Sequence, residues 1–533
     1  MGNLRVQSDG IGLWDAKQES IPDGHLNGVT GSSLWFLETY HQPVALAPAP
    51  GNDHDEYVFY WQQATVANHP AFGLSWARVD MRLRGGLGAV AEKGQVLTQV
   101  YNPRVTVVRH RNNRDFWVLT RDLDGRGFQA FLLGRGGVGP APVVSLAGQA
   151  QYSDEGELKA APTGNRLACG AAVRTAAGSE TLVCVYDFDN ATGVVSREQV
   201  VHRQAVPRLP LLPTGRLVTG DATATASCSF SPNGQLLYTV EPNPDAAARV
   251  RRFNDLWQYD LSQPTAAAVA ASRFLVSAVP LPAQPYDNIY CYGLQLAPDG
   301  TLWAGQYISR RVVNPANGQL STLSAAILRQ PNVAGAGCGF EAEGYAYLPG
   351  QIPSRTLPNL ITNMLYAPAT LNHEAACPDD SVQFWAGSAG DPAGLSWDFG
   401  DPASGPANMA RGRLAAHRYA RGGPYTVRLT LANGRVLTQA VAVPAGGVDF
   451  TDANVFTPNA DGFNDQFVPV RAPLPGGQLR VYSRWGQPVF STNDPVLRWD
   501  GAGAAAGAYF YQLDFPDCRG VVQHRRGVLT LVR

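Results

Sequence analysis

Ala161-Pro162-Thr163-Gly164-Asn165-Arg166-Leu167-Ala168, Ser231-Pro232-Asn233-Gly234-Gln235-Leu236-Leu237-Tyr238 and Ala297-Pro298-Asp299-Gly300-Thr301-Leu302-Trp303-Ala304 are one phrase written three times. Each opens on a Pro-x-Gly turn: proline presets φ and glycine accepts a positive φ. Each turn launches a strand. A second strand follows twice, as Cys184-Val185-Tyr186-Asp187-Phe188-Asp189 and Leu256-Trp257-Gln258-Tyr259-Asp260-Leu261. A repeated turn, strand, loop and strand ending in Tyr-Asp is how the blades of a β-propeller read. The prolines stand 70 and 66 residues apart, more than a blade of about 40–50 residues. The blades therefore carry insertions, or some have lost the phrase, and six to eight blades are expected.

Outward from these phrases the chain reads all-β. Tyr57-Val58-Phe59-Tyr60-Trp61, Asp115-Phe116-Trp117-Val118-Leu119 and Thr181-Leu182-Val183-Cys184-Val185-Tyr186 are short runs of β-branched and aromatic residues. Gly, Pro, Asn and Asp clusters bound them, the signature of strands. Gly 56 and Pro 39 in 533 residues argue for many turns, and no stretch supports three or four helical turns. A hydrophobic content of 45% excludes a disordered chain. The 42 basic and 43 acidic side chains leave a net charge of -1, which argues against a globally basic nucleic-acid binder. No segment offers 18 uninterrupted apolar residues, so no membrane span is expected.

The pattern changes near residue 366. Residues 1–365 form the propeller-like part, and Ala367-Pro368-Ala369 reads as a linker. Residues 367–444 hold short strands at sandwich spacing: Ser381-Val382-Gln383-Phe384-Trp385, Leu395-Ser396-Trp397-Asp398-Phe399-Gly400-Asp401, His417-Arg418-Tyr419 and Tyr425-Thr426-Val427-Arg428-Leu429. Trp397 is expected at the centre of that core. A second linker, Pro444-Ala445-Gly446-Gly447, leads into a last module of short strands over 448–533.

Trp397-Asp398-Phe399-Gly400-Asp401, followed by His417-Arg418-Tyr419 and Gly423-Pro424-Tyr425-Thr426-Val427, resembles a PKD domain, an immunoglobulin-like sandwich of extracellular bacterial proteins. The last module resembles the gliding-motility-associated C-terminal domain, the type B sorting domain of type IX secretion. The residues that carry this are Val455-Phe456-Thr457-Pro458-Asn459-Ala460-Asp461-Gly462-Phe463-Asn464-Asp465, Val481 to Phe490, Trp499-Asp500-Gly501, Gly507 to Tyr511 and Gly527 to Arg533. Residues 1–365 are similar to the propeller region often found ahead of those two modules. The resemblance implies an exported protein, outside the cell or on its outer surface, with the type IX secretion machinery as partner of the last domain. Met1 to Gly10 has no apolar segment and is not a secretory signal peptide. The reading therefore expects the native frame to begin upstream of Met1, with one or two further strands that help to close the ring.

Chemistry is sparse. There is no His-Glu-x-x-His and no Gly-x-Ser-x-Gly, and Gly134-Arg135-Gly136-Gly137-Val138-Gly139 reads as a hairpin tip. Asn52-Asp53-His54-Asp55-Glu56 gathers carboxylates around a histidine but reads as a solvated loop. Arg109-His110-Arg111 reads as a surface loop on a propeller rim. Cys169 and Cys184, among seven cysteines, flank a hairpin; they could bridge in an oxidising compartment or remain half-buried thiols. The candidate ion ligands are Asn459, Asp461, Asn464 and Asp465, whose alternating oxygens around Gly462 resemble part of a calcium loop. The glutamate expected at the twelfth position is replaced by Val470, and the other reading is an Asx-rich turn bonded to its own backbone. No other cofactor is expected. Function rests on the propeller: ligand binding or adhesion, with a glycan among the ligand classes, against the alternative of a secreted glycosidase or lyase acting on polysaccharide.

Overall fold

The computed structural model describes residues 6–8, 12–26, 44–66, 69–94, 96–100, 104–122, 126–148, 156–175, 178–206, 227–242, 254–277, 288–314, 318–346, 360–366, 368–374, 381–387, 394–443, 448–516 and 520–533. The chain divides into two compact units, residues 1–370 with 387–390, and residues 371–386 with 391–533.

In the first unit five antiparallel sheets follow one another along the chain, each a meander in strand order. Their first strands are Val44–Pro48, Thr106–Arg109, Gly156–Ala160, Ser227–Phe230 and Asn288–Leu296. First strands of consecutive sheets neighbour one another, so they form the inner wall of a ring. Consecutive sheets pack face on face. Phe59, Trp61 and Leu74 of the first sheet meet Val107, Phe116 and Phe131 of the second. Leu119 and Phe128 of the second meet Leu158, Leu182 and Tyr186 of the third. The third meets the fourth through Val183, Val185, Phe230 and Tyr259, and the fourth meets the fifth through Tyr238, Leu256, Leu294 and Leu302. This is propeller packing. A hairpin of Val6–Ser8 and Leu13–Asp15 supplies part of a sixth member, packing Val6, Leu13, Ile21 and Leu26 onto the other face of the first sheet. Residues 27–43 and 347–359 lie outside the described residues.

The three repeated phrases occupy one position: the turn between first and second strands of the third, fourth and fifth sheets. Gly164, Gly234 and Gly300 have φ of +72°, +70° and +89°, as such a turn demands. The first two sheets have replaced the phrase with Asn-x-x-Asp. Asn52 Oδ1 accepts the His54 and Asp55 N–H groups at 3.0 and 2.7 Å, and Asn112 Oδ1 accepts those of Arg114 and Asp115 at 3.0 Å each. The side-chain amide does for these turns what proline and glycine do for the others. Strands of 12 or 13 residues, such as Gly178–Asp189 and Val194–Val206, account for part of the long repeat spacing.

In the second unit, a three-stranded sheet (Thr370–His373, Val382–Gly387, Leu414–His417) and a four-stranded sheet (Met409–Arg411, Ser396–Asp398, Gly423–Thr430, Val436–Val443) enclose Phe384, Trp397, Phe399, Val427 and Leu429. Residues 448–533 form a five-stranded sheet in the order Val455–Phe456, Val522–Leu531, Gly507–Pro516, Gln478–Ser483, Pro488–Thr492. Its inner face buries Leu479, Val481, Leu513, Leu529 and Leu531 under Phe467 and Trp499. The isolated bridge between Phe467 and Trp499 belongs to the second layer. The linker Pro444 to Gly447 lies outside the described residues.

Candidate functional site

The inner strands alternate between the packed interior and the ring axis. On Gly156–Ala160, Leu158 and Ala160 enter the core between sheets, which leaves Glu157 and Lys159 on the axis side. Neighbouring first strands add Ser227, Ser229 and Gln295. All five are buried. Their polar atoms are joined across blades: Lys159 Nζ donates to Gln295 Oε1 at 3.0 Å, Ser227 Oγ donates to Glu157 Oε2 at 2.6 Å, and the Cys228 N–H reaches the same oxygen at 3.1 Å. Charge-assisted bonds of this kind hold the wall together. Among the described residues, Glu157 is the one carboxylate on the five first strands.

One end of the ring is capped by the segment Ile361 to Tyr366. The Asn363 side chain accepts from the Arg109 N–H at 2.9 Å and donates to the Arg109 carbonyl at 3.0 Å. Thr362 Oγ1 donates to the Ala160 carbonyl at 2.8 Å, and the Tyr366 hydroxyl donates to the Ala297 carbonyl. These acceptors sit at the ends of the second, third and fifth inner strands, so one short segment ties together three blades. Arg109 is buried there rather than on a surface loop, and burial pushes its guanidinium down to about 10. His110 is likewise engaged, its ring between the Ala191 carbonyl and the Asn112 N–H. The basic triplet carries no sign in its sequence of which residue turns inward. The cluster at residues 52–56 also departs from a solvated loop, because Asp55 is buried.

Cys169 and Cys184 are register partners in the expected hairpin, and both are fully buried thiols rather than half-buried ones. The other face of each strand is covered by the next blade. Cys377 and Cys518 lie outside the described residues. Gly134 and Gly137 are paired in a hairpin, as expected of that stretch.

The four candidate calcium ligands lie in one exposed loop. Asp465 Oδ1 accepts the N–H groups of Asn459 and Ala460 at 3.0 and 2.7 Å, and its Oδ2 accepts that of Gly462 at 2.9 Å. Asp461 Oδ1 accepts the Phe463 N–H at 2.8 Å, while Asn459 Nδ2 donates to Asp461 Oδ2 at 2.9 Å. Asn464 takes a positive φ of 52° and offers its carbonyl to the Thr457 N–H. These bonds hold the loop in shape and lower the Asp461 pKa, chiefly through the Phe463 N–H.

The last domain carries a surface that its core does not require. Val528, Phe510, Tyr482 and Pro488 are register partners in one row across four strands on the solvent face. Arg526, Gln512 and Arg480 form the next row. Beyond the hairpin tip Trp485 is 78% exposed, with the Arg484 guanidinium 5.0 Å from its ring. A shallow cavity of about 580 Å³ lies over this row, lined by Tyr482, Arg484, Phe510, Gln512, Arg526 and Val528.

Residues 450–531 match the model of the CHU_C type IX secretion signal domain, and residues 368–443 match that of the PKD domain. The chain thus carries a C-terminal signal for type IX secretion and is sorted to the cell exterior. A search of curated proteins finds no match. Solved structures that the chain matches include an exo-β-1,3-galactanase from Phanerochaete chrysosporium with β-1,3-galactotriose (10% identity, 99% of this chain and 94% of that one, TM-score 0.29). An α-L-arabinofuranosidase from Fusarium graminearum with an iminosugar inhibitor has 10% identity over 64% of this chain and 92% of that one, TM-score 0.29. Sqt1 of Chaetomium thermophilum, bound to the N-terminus of a ribosomal protein, has 13% identity over 92% and 98%, TM-score 0.27. No helix among the described residues is long and apolar enough to cross a membrane.

Proposed function

We propose that this chain is a surface-displayed binding protein: residues 1–365 hold an extracellular ligand, residues 367–444 act as spacer, and residues 448–533 direct export and attachment. The observation that carries binding over hydrolysis is the inner wall. Glycoside hydrolysis takes two carboxyl groups about 5–10 Å apart. Among the described residues, the one carboxylate of the five first strands is buried and spent on Ser227 and the Cys228 N–H. The Ile361 to Tyr366 segment occupies the end where first strands turn into second strands, so the ligand meets the opposite end. The secretion machinery would read the last domain through the row Tyr482, Phe510 and Val528 and the arginines beside it, an apolar and basic face suited to an acidic polypeptide with apolar side chains. A calcium ion at Asn459, Asp461, Asn464 and Asp465 belongs to the same reading as a support for that domain.

A glycan array probed with the full chain, run beside a reducing-end assay on every glycan that binds, tests the first part. Retention of a glycan without release of reducing ends supports binding. Release of reducing ends establishes the enzyme reading instead. Differential melting in calcium and in chelator tests the ion: a calcium-dependent rise in the melting of the last domain that Asp461→Asn abolishes supports it, and superimposable melts remove it.

A further inference from the structure

The turns opening the second strands of the first two sheets share one asparagine–aspartate device and differ in what faces one aspartate oxygen. In both, the asparagine amide donates to the aspartate: Asn52 Nδ2 to Asp55 Oδ2 at 3.0 Å, and Asn112 Nδ2 to Asp115 Oδ2 at 2.7 Å. In the second sheet the other aspartate oxygen, Asp115 Oδ1, takes the Arg114 Nε–H at 3.0 Å. In the first sheet the residue at that place is His54. Asp55 Oδ1 is consequently buried with no hydrogen-bond partner, and His54 Nε2 stands 3.9 Å away, too far to donate. A buried carboxylate oxygen left without a cation or donor is costly.

A second carboxylate faces the same spot. Asp80, at the end of the strand His69–Asp80, is the direct register partner of Asp55. Like charges opposite each other across a strand pair repel. Arg78 offsets the other oxygen of Asp55 at 2.9 Å, and Arg82 grips Asp80 at 2.7 and 3.0 Å. The Arg82 side chain is largely exposed and free to swing outward. Ligand atoms of His54, Asp55 and Asp80 all lie within 4.8 Å of one another.

We propose that His54, Asp55 Oδ1 and Asp80 bind a divalent transition-metal ion of the zinc class at the turn end of the first blade, the ion taking the place that an arginine fills in the second. One imidazole nitrogen and two carboxylate oxygens suit zinc with a water as fourth ligand, and the nitrogen disfavours calcium or magnesium. Zinc bonds of about 2.0–2.2 Å place tetrahedral ligands roughly 3.3 Å apart. The site therefore has to contract, by rotation of the half-exposed His54 and release of Asp80 from Arg82. The ion would lock the first-to-second and third-to-fourth strand turns of one blade together.

The test uses the full chain, stripped with chelator and titrated with zinc by calorimetry and by thermal shift. Three variants accompany it: His54→Arg, Asp80→Asn and His54→Ala. His54→Arg is the decisive one, because it rebuilds the pairing of the second sheet. It should fold, melt without zinc at or above the parent, and lose binding. The parent should take up one zinc at this site with a rise in melting temperature. His54→Ala and Asp80→Asn should weaken that uptake at least tenfold. Unchanged zinc uptake by His54→Arg would place the metal elsewhere and overturn the proposal. No zinc-dependent shift in the parent would do so too.

Discussion

Trp397 is fully buried, and its indole N–H reaches the Gly412 carbonyl at 2.9 Å, so one side chain supplies both packing and a satisfied donor. Trp397→Ala should destabilise its domain by about 3–5 kcal/mol, read by chemical denaturation; a loss under about 1 kcal/mol would contradict the core assignment. The rest of that motif is equally structural. Gly400 has φ of +70°, and a Cβ there would stand 2.5 Å from the Thr426 carbonyl. Asp401 is a buried hub for the Ala420 N–H at 2.9 Å and His417 Nε2 at 3.2 Å. Gly400→Ala should therefore weaken folding without touching a ligand site. These residues were legible in the sequence because each has a single physical task. Asp55 was not. Alternation predicts that neighbouring side chains point opposite ways, but not which neighbour is buried, and the orphaned oxygen emerges only when two blades are compared atom by atom.

At the scale of elements, the runs that betrayed the strands were richer than one buried face requires. Phe116 to Arg121 are buried at every position, because each blade is covered on both sides. Polar groups trapped between blades then need partners. Glu241, fully buried between the third and fourth sheets, is held by the Tyr259 hydroxyl at 2.7 Å, the Thr239 hydroxyl at 2.6 Å, His202 at 3.1 Å and Arg273. The Arg273 guanidinium in turn lies 3.6 Å from the Trp257 ring centroid. Glu241→Ala strands these donors and should cost about 3–5 kcal/mol in a denaturant melt; a cost within experimental error would show the cluster to be solvated. Burial also lowers the His202 pKa below its ordinary value, against the pull of Glu241. The neutral ring is the folded form, so its contribution is present above about pH 6.5 and is lost as pH falls. Melts at pH 7.5 and 5.5 should show an acid loss that His202→Gln reduces; an identical loss in that variant would assign it to other groups. Sequence hid this cluster, since His202 and Arg273 lie far apart along the chain and carry no spacing signal.

For the whole molecule, the repeated phrase revealed the propeller and the two C-terminal motifs revealed the modules that follow it, whereas the end proposed to meet a ligand depends on loops that no repeat specifies. The last domain packs its inner sheet face within itself, around Trp499 and Leu531. The signal can therefore act as an address separate from its cargo. On the solvent face, Phe510→Glu combined with Val528→Glu should leave the melt of the purified chain unchanged and trap the protein inside the cell. Normal export of that double variant would remove the face from the account while leaving the sorting role intact. The most direct measurement is surface labelling of intact cells of a bacterium that has a type IX system, comparing the full chain with one lacking residues 448–533. The account predicts that the full chain is labelled, and that the shortened chain is folded, present in the lysate and unlabelled. Equal labelling of both would contradict it.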